Sequence, residues 1–464
     1  MIKKIFSHSV VYGLAPQIPK IINILVYPII TRYLTETDFG VYGILIAATG
    51  ALSALGNLGL IVTLSNSFYK SPSSYHWGWR QVYGFLTFWN IPFAFLMAGI
   101  LYLFIPDIAA ENTLYIILLN VIPIVFFGPT ATIGTLYFQL KQKPLEIGIR
   151  SAGIGILSVV LNILFIVHFK LGYLGWFLAG GISQVLLQFS YWLPLNLKYK
   201  LTPIYNFKWR YIKNQLKIGL PTIPHQYSSY LLNSSDRAVM NILNVTTANI
   251  GKYNAAGNIA LNGEIVGLAM GKAITPIQLE FFKKGDEKNA RKMIFILQIV
   301  FLTASFTICI WMKEIFKLLI KNDTLQTVYP LAIIMTMAYN YKPMYFGAVN
   351  RLFYIEATKK LMYVTLTGGI IKIILDLLLI PIIGYQISAF TTYIGLMYMG
   401  YSGFYMKEYR NAVKIKYYPY IWLILTCILT AAAYLVVELS PPIKGVVSSI
   451  AITTGVIILI KLSK

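Results

Sequence analysis

The chain has 464 residues, of which 57% are hydrophobic and only 12% charged, with a mean hydropathy of +0.66. A soluble chain carries about 25% charged residues, so the composition excludes two or three water-soluble domains and indicates a polytopic membrane protein. The net charge of +23 does not point to nucleic acid, because the basic residues are spread through short loops between apolar runs, as bilayer orientation requires.

The N-terminal stretch MIKKIFSHSV lacks the small-residue site of a cleavable signal, so the first apolar run is expected to be an uncleaved span. Transmembrane helices are predicted over residues 10–33, 39–64, 81–105, 114–140, 147–167 and 173–197. A basic, polar linker follows over 198–217. The pattern then resumes over 219–243, 250–282, 293–319, 329–353, 361–380 and 385–406, with a last pair over 421–437 and 446–460. The expected fold is all-α with about 14 transmembrane helices: an N-lobe over 1–197, a C-lobe over 218–410 and a C-terminal helix pair over 411–464. No predicted outer loop is long enough to form an external domain, so function must sit within or between the helices.

Loop charge fits this count. Most of the 39 Lys and Arg residues fall in even-numbered loops and the two ends. The odd loops hold only Arg32, Lys170, Lys252, Lys313, Lys317, Lys321 and Lys444. That asymmetry predicts an even number of spans with both termini cytoplasmic. The two cysteines, Cys309 and Cys427, lie in separate apolar runs, and no disulfide framework is expected.

The chain also repeats itself. Gly13-Leu14 and Ile18-Pro19 match Gly219-Leu220 and Ile223-Pro224. Gly40-Val41-Tyr42 matches Gly251-Lys252-Tyr253, and Leu161-Asn162 before Leu171-Gly172-Tyr173 matches Leu375-Asp376 before Ile383-Gly384-Tyr385. Both halves start at odd-numbered spans, so they enter the membrane from the same side as a parallel pseudo-two-fold repeat. Transporters built in this way bind substrate between the halves, near the midplane.

Eight ionisable residues fall inside predicted spans: Lys20, Asp236, Arg237, Glu264, Lys272, Lys342, Lys372 and Asp376. Each costs about 2.5–3.5 kcal/mol at the bilayer centre on insertion scales, so they must face water or one another. Five bases against three acids make a slightly cationic interior. Such an interior suits an anionic substrate, because desolvated phosphate oxygens take charge-assisted hydrogen bonds from Lys and Arg. Lys20 and Lys342 have no acid within one turn and are substrate-contact candidates, or else snorkelling or paired lysines. Lys372 and Asp376, four apart on one helix, either neutralise each other or serve a coupling ion. Asp236 and Arg237 are adjacent on a predicted helix, so they are expected to have different partners, either structural or functional. Glu264 and Lys272 lie two turns apart on nearly one face and could share a pore wall.

Gly263, Gly267 and Gly271 form a GxxxGxxxG ridge beside Glu264, expected to serve close helix packing. Pro16, Pro19, Pro28, Pro221 and Pro224 predict bends at matching places in the two halves. Gly56-Asn57-Leu58-Gly59 and Gly153-Ile154-Gly155 are expected within helices and not as phosphate loops. There is no GxxxxGK[ST], no HExxH among the four histidines and no DxD. No cofactor or metal is expected, and a membrane-bound glycan polymerase or glycosyltransferase is disfavoured.

Three stretches carry a family resemblance. YLTETDFGVYGILIAA resembles the L-x-x-x-x-F-G-x-Y segment of bacterial polysaccharide-unit exporters, the Wzx-type flippases. GLPTIPHQYSSYLLNSSDRAVM resembles their seventh helix, with LP-x-x-P and SDR, and LNILFIVHFKLGYLG resembles their fifth helix and following turn. The resemblance covers most of the first twelve spans. It implies membership of the multidrug/oligosaccharidyl-lipid/polysaccharide exporter superfamily and two lobes in a V. It also implies flipping of an undecaprenyl-diphosphate-linked oligosaccharide to the outer leaflet of the bacterial cytoplasmic membrane, for O-antigen, capsule or related glycans. On that reading the lipid diphosphate meets Lys20, Arg237, Lys272, Lys342 or Lys372, with Lys20 and Arg237 approaching one cavity from opposite lobes. The ion-coupling candidates are Asp236, Glu264 and Asp376, for H+ or Na+. Implied partners are membrane lipid, a polysaccharide polymerase and a chain-length regulator. Two features depart from the pattern: Asp376 stands where Asn162 stands in the first repeat, and the last two helices exceed twelve spans, as in lipid II flippases. The alternatives are a drug or cation antiporter, or a lipid II flippase, of the same superfamily.

Overall fold

The computed structural model describes the backbone of residues 18–463 and, within that range, all side chains except those of 18–21, 225, 269, 272, 358–361 and 463. Every regular element among the described residues is helical. The helices are α1 (Ile18–Ile30), α2 (Glu36–Leu52), α3 (Leu60–Lys70), α4 (Tyr75–Phe104), α5 (Thr113–Phe127), α6 (Thr130–Leu140), α7 (Pro144–Asn162) and α8 (Gly172–Leu193). Then come α9 (Trp209–Gly219), α10 (Ile223–Asn233), α11 (Ser235–Ile242), α12 (Thr247–Lys283), α13 (Glu287–Ile310) and α14 (Met312–Leu319). The chain ends with α15 (Asp323–Gln326), α16 (Tyr329–Ala338), α17 (Lys342–Tyr354), α18 (Thr358–Ile383), α19 (Ile387–Tyr401), α20 (Lys407–Ala412), α21 (Pro419–Val436) and α22 (Pro441–Ser463).

Grouped across short breaks, these helices correspond to the fourteen expected passages, the first of them described from Ile18 onward. Nine stretches among the described residues are long and apolar enough to cross a membrane uninterrupted. The second, fourth, seventh and tenth passages are each broken, and the causes are local. The second breaks at Asn57–Gly59. Gly59 has φ +70, and a Cβ there would collide with the carbonyl oxygen of Gly219, so only glycine fits. The glycine pair at 56 and 59 therefore marks a break and is not helix interior as expected. The fourth breaks at Gly128, with φ +56, followed by Pro129.

The repeat is visible at the level of caps. Thr35 accepts a hydrogen bond from the Asp38 N–H and closes a capping box on α2; Thr246 accepts from the Asn249 N–H at the start of α12. Asp38 does more: its Oδ1 accepts the Tyr173 N–H at 2.7 Å. The aspartate of TETDFG thus holds the LGY turn, which joins two of the sequence motifs in space.

The chain divides into two compact units, with the boundary between Tyr227 and Ser228, inside α10. The sequence boundary for the second lobe, 218, falls earlier. Ile223 and Tyr227 pack in the core of the first unit, with Trp79, Phe138 and Tyr191. Leu231 and Leu232, in the second unit, pack over Gly369 and Gly395.

Two elements are anchored in ways the sequence does not advertise. In the first unit the linker lies along α4. The Ile204 N–H donates to the Arg80 carbonyl at 2.9 Å, Arg80 Nε donates to the Thr202 carbonyl at 2.8 Å, and the Lys208 N–H donates to Gln81 Oε1 at 2.6 Å. A Cβ on Gly84 would collide with the Ile204 carbonyl. In the second unit the C-terminal pair α21–α22 packs on α13. Lys444, 0% exposed, pairs with both oxygens of Glu314 at 2.7 and 2.9 Å. Lys313 pairs with Glu438 at 2.6 Å, and Trp311 Nε1 donates to Ser448 Oγ at 2.9 Å.

Candidate functional site

The candidate site is a buried charge network in the second unit. Its centre is Asp236, in the first turn of α11. The seventh passage breaks at Ser234, φ −140, so α11 starts afresh with free N–H groups. Asp236 folds back on that start: Oδ1 accepts the Arg237 N–H at 2.9 Å and Arg237 Nη1 at 3.0 Å. Adjacent residues of an uninterrupted helix cannot pair this way. The expectation of wholly separate partners is corrected here, and the cause is the helix break.

Both residues also reach further. Asp236 Oδ2 accepts the Tyr253 hydroxyl at 2.6 Å. Arg237 donates from Nε to Asn254 Oδ1 at 3.1 Å and from Nη1 to the Asn233 carbonyl at 2.8 Å, and its guanidinium stands 5.4 Å over the Tyr253 ring. Gly257 leaves room for it, since a Cβ there would meet Arg237 Nη2 at 2.5 Å.

Lys372 and Asp376, both on α18 and both 0% exposed, do not pair with each other. Lys372 Nζ lies 3.1 Å from Asp236 Oδ2 on α11. This is an ion pair by distance, since the ammonium makes no directional hydrogen bond. Asp376 Oδ1 accepts the Thr391 hydroxyl from α19, and its Oδ2 has no hydrogen-bond partner among the described residues. Lys372 and Asp376 thus make no direct ion pair, and the fold offers Lys372 a carboxylate from another helix.

The network continues through Asn233. Its Nδ2 donates to Glu264 Oε1 at 3.2 Å. Lys342 Nζ lies 3.8 Å from that same oxygen and donates to the Glu264 carbonyl at 3.2 Å. The glycine ridge makes this possible. The aliphatic stem of Lys342 crosses Gly267, while Tyr339 lies on Gly263 and Phe346 on Gly271. The ridge serves packing, and one packed side chain is a lysine.

Six of the eight sequence-selected residues therefore converge: Asp236, Arg237, Glu264, Lys342, Lys372 and Asp376. Three are acids and three are bases, and the expected excess of positive charge rests on Lys20 and Lys272. Lys20 and Lys272 lie among the residues whose side chains are not described. Sequence reasoning missed the neutral members Asn233, Tyr253, Asn254 and Thr391. Only Tyr253 carried a signal, as the last residue of the repeated Gly-x-Tyr.

Comparison with known proteins decides the family. The model for polysaccharide biosynthesis proteins matches residues 2–282, more than half of the chain. The chain belongs to that family. Comparison with curated protein sequences returns no match. Among solved structures the chain is similar to the lipid II flippase MurJ in an inward closed conformation, with 14% identity, 93% of this chain and 98% of that chain covered, and a TM-score of 0.66. It is also similar to an inward-facing multidrug resistance MATE transporter of the MOP superfamily, with 14% identity, 87% and 95% covered, and a TM-score of 0.60. A MOP superfamily transporter from Pyrococcus furiosus matches with 14% identity, 92% and 96% covered, and a TM-score of 0.60. At these identities the likeness establishes a shared fold. In this polysaccharide biosynthesis family member, that fold brings the six charges together on α11, α12, α17 and α18.

Proposed function

We propose that this protein flips undecaprenyl-diphosphate-linked oligosaccharide repeat units from the cytoplasmic to the outer leaflet of the bacterial cytoplasmic membrane. It does so by alternating access, driven by an H+ or Na+ gradient, in the biosynthesis of a surface polysaccharide such as O-antigen or capsule. The observation that carries this reading is the set of three bases paired with Asp236 and Glu264, with Asp376 beside them on α18, inside membrane-spanning helices of a polysaccharide biosynthesis protein. Buried charges of this kind are expensive and are kept for ions or charged substrates.

The diphosphate engages Arg237, Lys342 and Lys372, together with Lys272. Without substrate, Asp236 and Glu264 hold three of these bases, so binding is an exchange in which phosphate oxygens replace carboxylate oxygens. Asp376, with one unpartnered carboxylate oxygen, takes the coupling ion. The exported unit passes to a polysaccharide polymerase and a chain-length regulator.

The test is Lys342→Ala combined with Lys372→Ala in a strain lacking the native protein, followed by surface-glycan detection at matched protein level. Loss of surface glycan is expected. Normal glycan export would remove these lysines from the substrate site. Dye efflux with no glycan defect would favour the cation antiporter, and lysis from lack of lipid II would favour that lipid as cargo.

A further inference from the structure

A second charge cluster, unused by the network above, lies in the first unit where α6 turns into α7 and α8 runs into the linker. Lys141 Nζ stands over three rings, at 5.4 Å from Phe68, 5.5 Å from Tyr75 and 5.9 Å from Tyr137. Lys143 Nζ lies 5.0 Å over Tyr199 and donates to its hydroxyl at 2.8 Å. Lys198 Nζ is 5.7 Å from the same ring. The Tyr137 and Tyr199 rings are 5.0 Å apart, so the three ammonium groups share one aromatic floor.

The charge here is one-sided. None of the three ammonium groups is within ion-pair distance of a carboxylate among the described residues. The neighbouring acid, Glu146, is engaged by Arg150 at 2.7 Å. The Tyr199 hydroxyl pushes Lys143 above its usual range, so it stays charged. Ring faces attract cations and fix where they stand, but they supply no net negative charge. Three exposed cations standing on two adjoining rings form a receptor for an anion.

The surroundings say what kind of anion. Within the first two turns of α7, Leu145 and Ile149 are exposed; just before Lys198, Leu193 and Leu197 are exposed. The helices α7 and α8 pack on each other, which sets the lysines at the head of an apolar two-helix face. A soluble phosphate would use only the head of that face, whereas an amphiphile uses all of it. We propose that this face binds an anionic phospholipid, its phosphate on Lys141, Lys143 and Lys198 and its acyl chains along α7 and α8. The bound lipid would tie the α6–α7 turn to the start of the linker.

The test is native mass spectrometry of the full chain released from nanodiscs holding phosphatidylglycerol and phosphatidylcholine with matched acyl chains. Preferential retention of phosphatidylglycerol is expected. The triple variant K141Q/K143Q/K198Q should lower it by about fivefold per ammonium lost, and so by well over tenfold in all. K141R/K143R/K198R keeps the charge and should keep the lipid, which guards against a folding defect in the glutamine variant. K283Q/K288Q/K407Q removes three exposed lysines elsewhere and should change nothing. The proposal is overturned by an absence of headgroup preference in the parent protein, by an equal loss in the distant control, or by an arginine variant that falls as far as the glutamine one. Displacement of phosphatidylglycerol by equimolar undecaprenyl diphosphate would also overturn it, by assigning the face to the transported lipid.

Discussion

Lys342 shows how much a single side chain depends on what surrounds it. It is 3% exposed, its stem lies on Gly267, and its ammonium faces Glu264. The carboxylate is both its counter-charge and the competitor of any incoming phosphate. Glu264→Gln removes the competing charge but keeps an oxygen for Asn233, so diphosphate should bind more tightly and its salt dependence should rise. Lys342→Ala should weaken binding by about ten- to a hundredfold, the span of a charged hydrogen bond. Titration of the purified protein with undecaprenyl diphosphate measures both, and weaker binding by Glu264→Gln would place Lys342 outside the phosphate site. The charges themselves were legible in the sequence, because an ionisable residue in an apolar run stands out. Their partners were not. Same-helix spacing pointed Lys372 to Asp376, yet Asp236 on α11 is what it meets. The neutral members Asn233, Asn254 and Thr391 look like any polar residue in a helix.

At the scale of elements, the linker and the C-terminal pair differ most from a reading by composition. The polar stretch 198–217 has the composition of a tether, but its backbone is bonded along α4. The signal was Gly78, Gln81 and Gly84 on one face of that helix, and it is unreadable until the linker is seen to lie there. Gly84→Val places a branched side chain against the Ile204 carbonyl. Overpacking of this kind costs about 1–3 kcal/mol, so the linker should open to limited proteolysis while the helices stay resistant. An unchanged cleavage pattern would mean that the linker is held elsewhere. In the second unit, Glu314→Ala leaves the ammonium of Lys444 buried without its carboxylate. Loss of one partner of a fully buried pair costs about 3–5 kcal/mol; the Glu314 side chain is 36% exposed, so the cost here is smaller, whereas an apolar replacement of both is close to neutral. The melting temperature in detergent should therefore fall for Glu314→Ala and recover in Glu314→Ala with Lys444→Met. Equal melting of all three proteins would show that the pair does not hold α22.

For the whole molecule, the fourteen passages were legible because a bilayer imposes one length on every apolar run, and a break such as Gly59 or Gly128 does not change how far a passage reaches. An even number of passages returns the chain to the side on which it started. Which side that is depends on charge rather than on folding. Lys283, Lys284, Lys288, Arg291 and Lys292 crowd one even loop, and Lys407, Arg410, Lys414 and Lys416 another, while odd loops such as the one at Lys170 carry single cations. Moving the crowded loops across the membrane would transfer many positive charges against the potential, at about 2.3 kcal/mol per charge for each 100 mV. Both ends should therefore be cytoplasmic. A fluorescent protein fused after Lys464 should be bright, and one fused after Lys444 dark; alkaline phosphatase at the same two points should give the reverse. With the basic loops cytoplasmic, brightness at both points would mean that neither α21 nor α22 crosses, reducing the count to twelve.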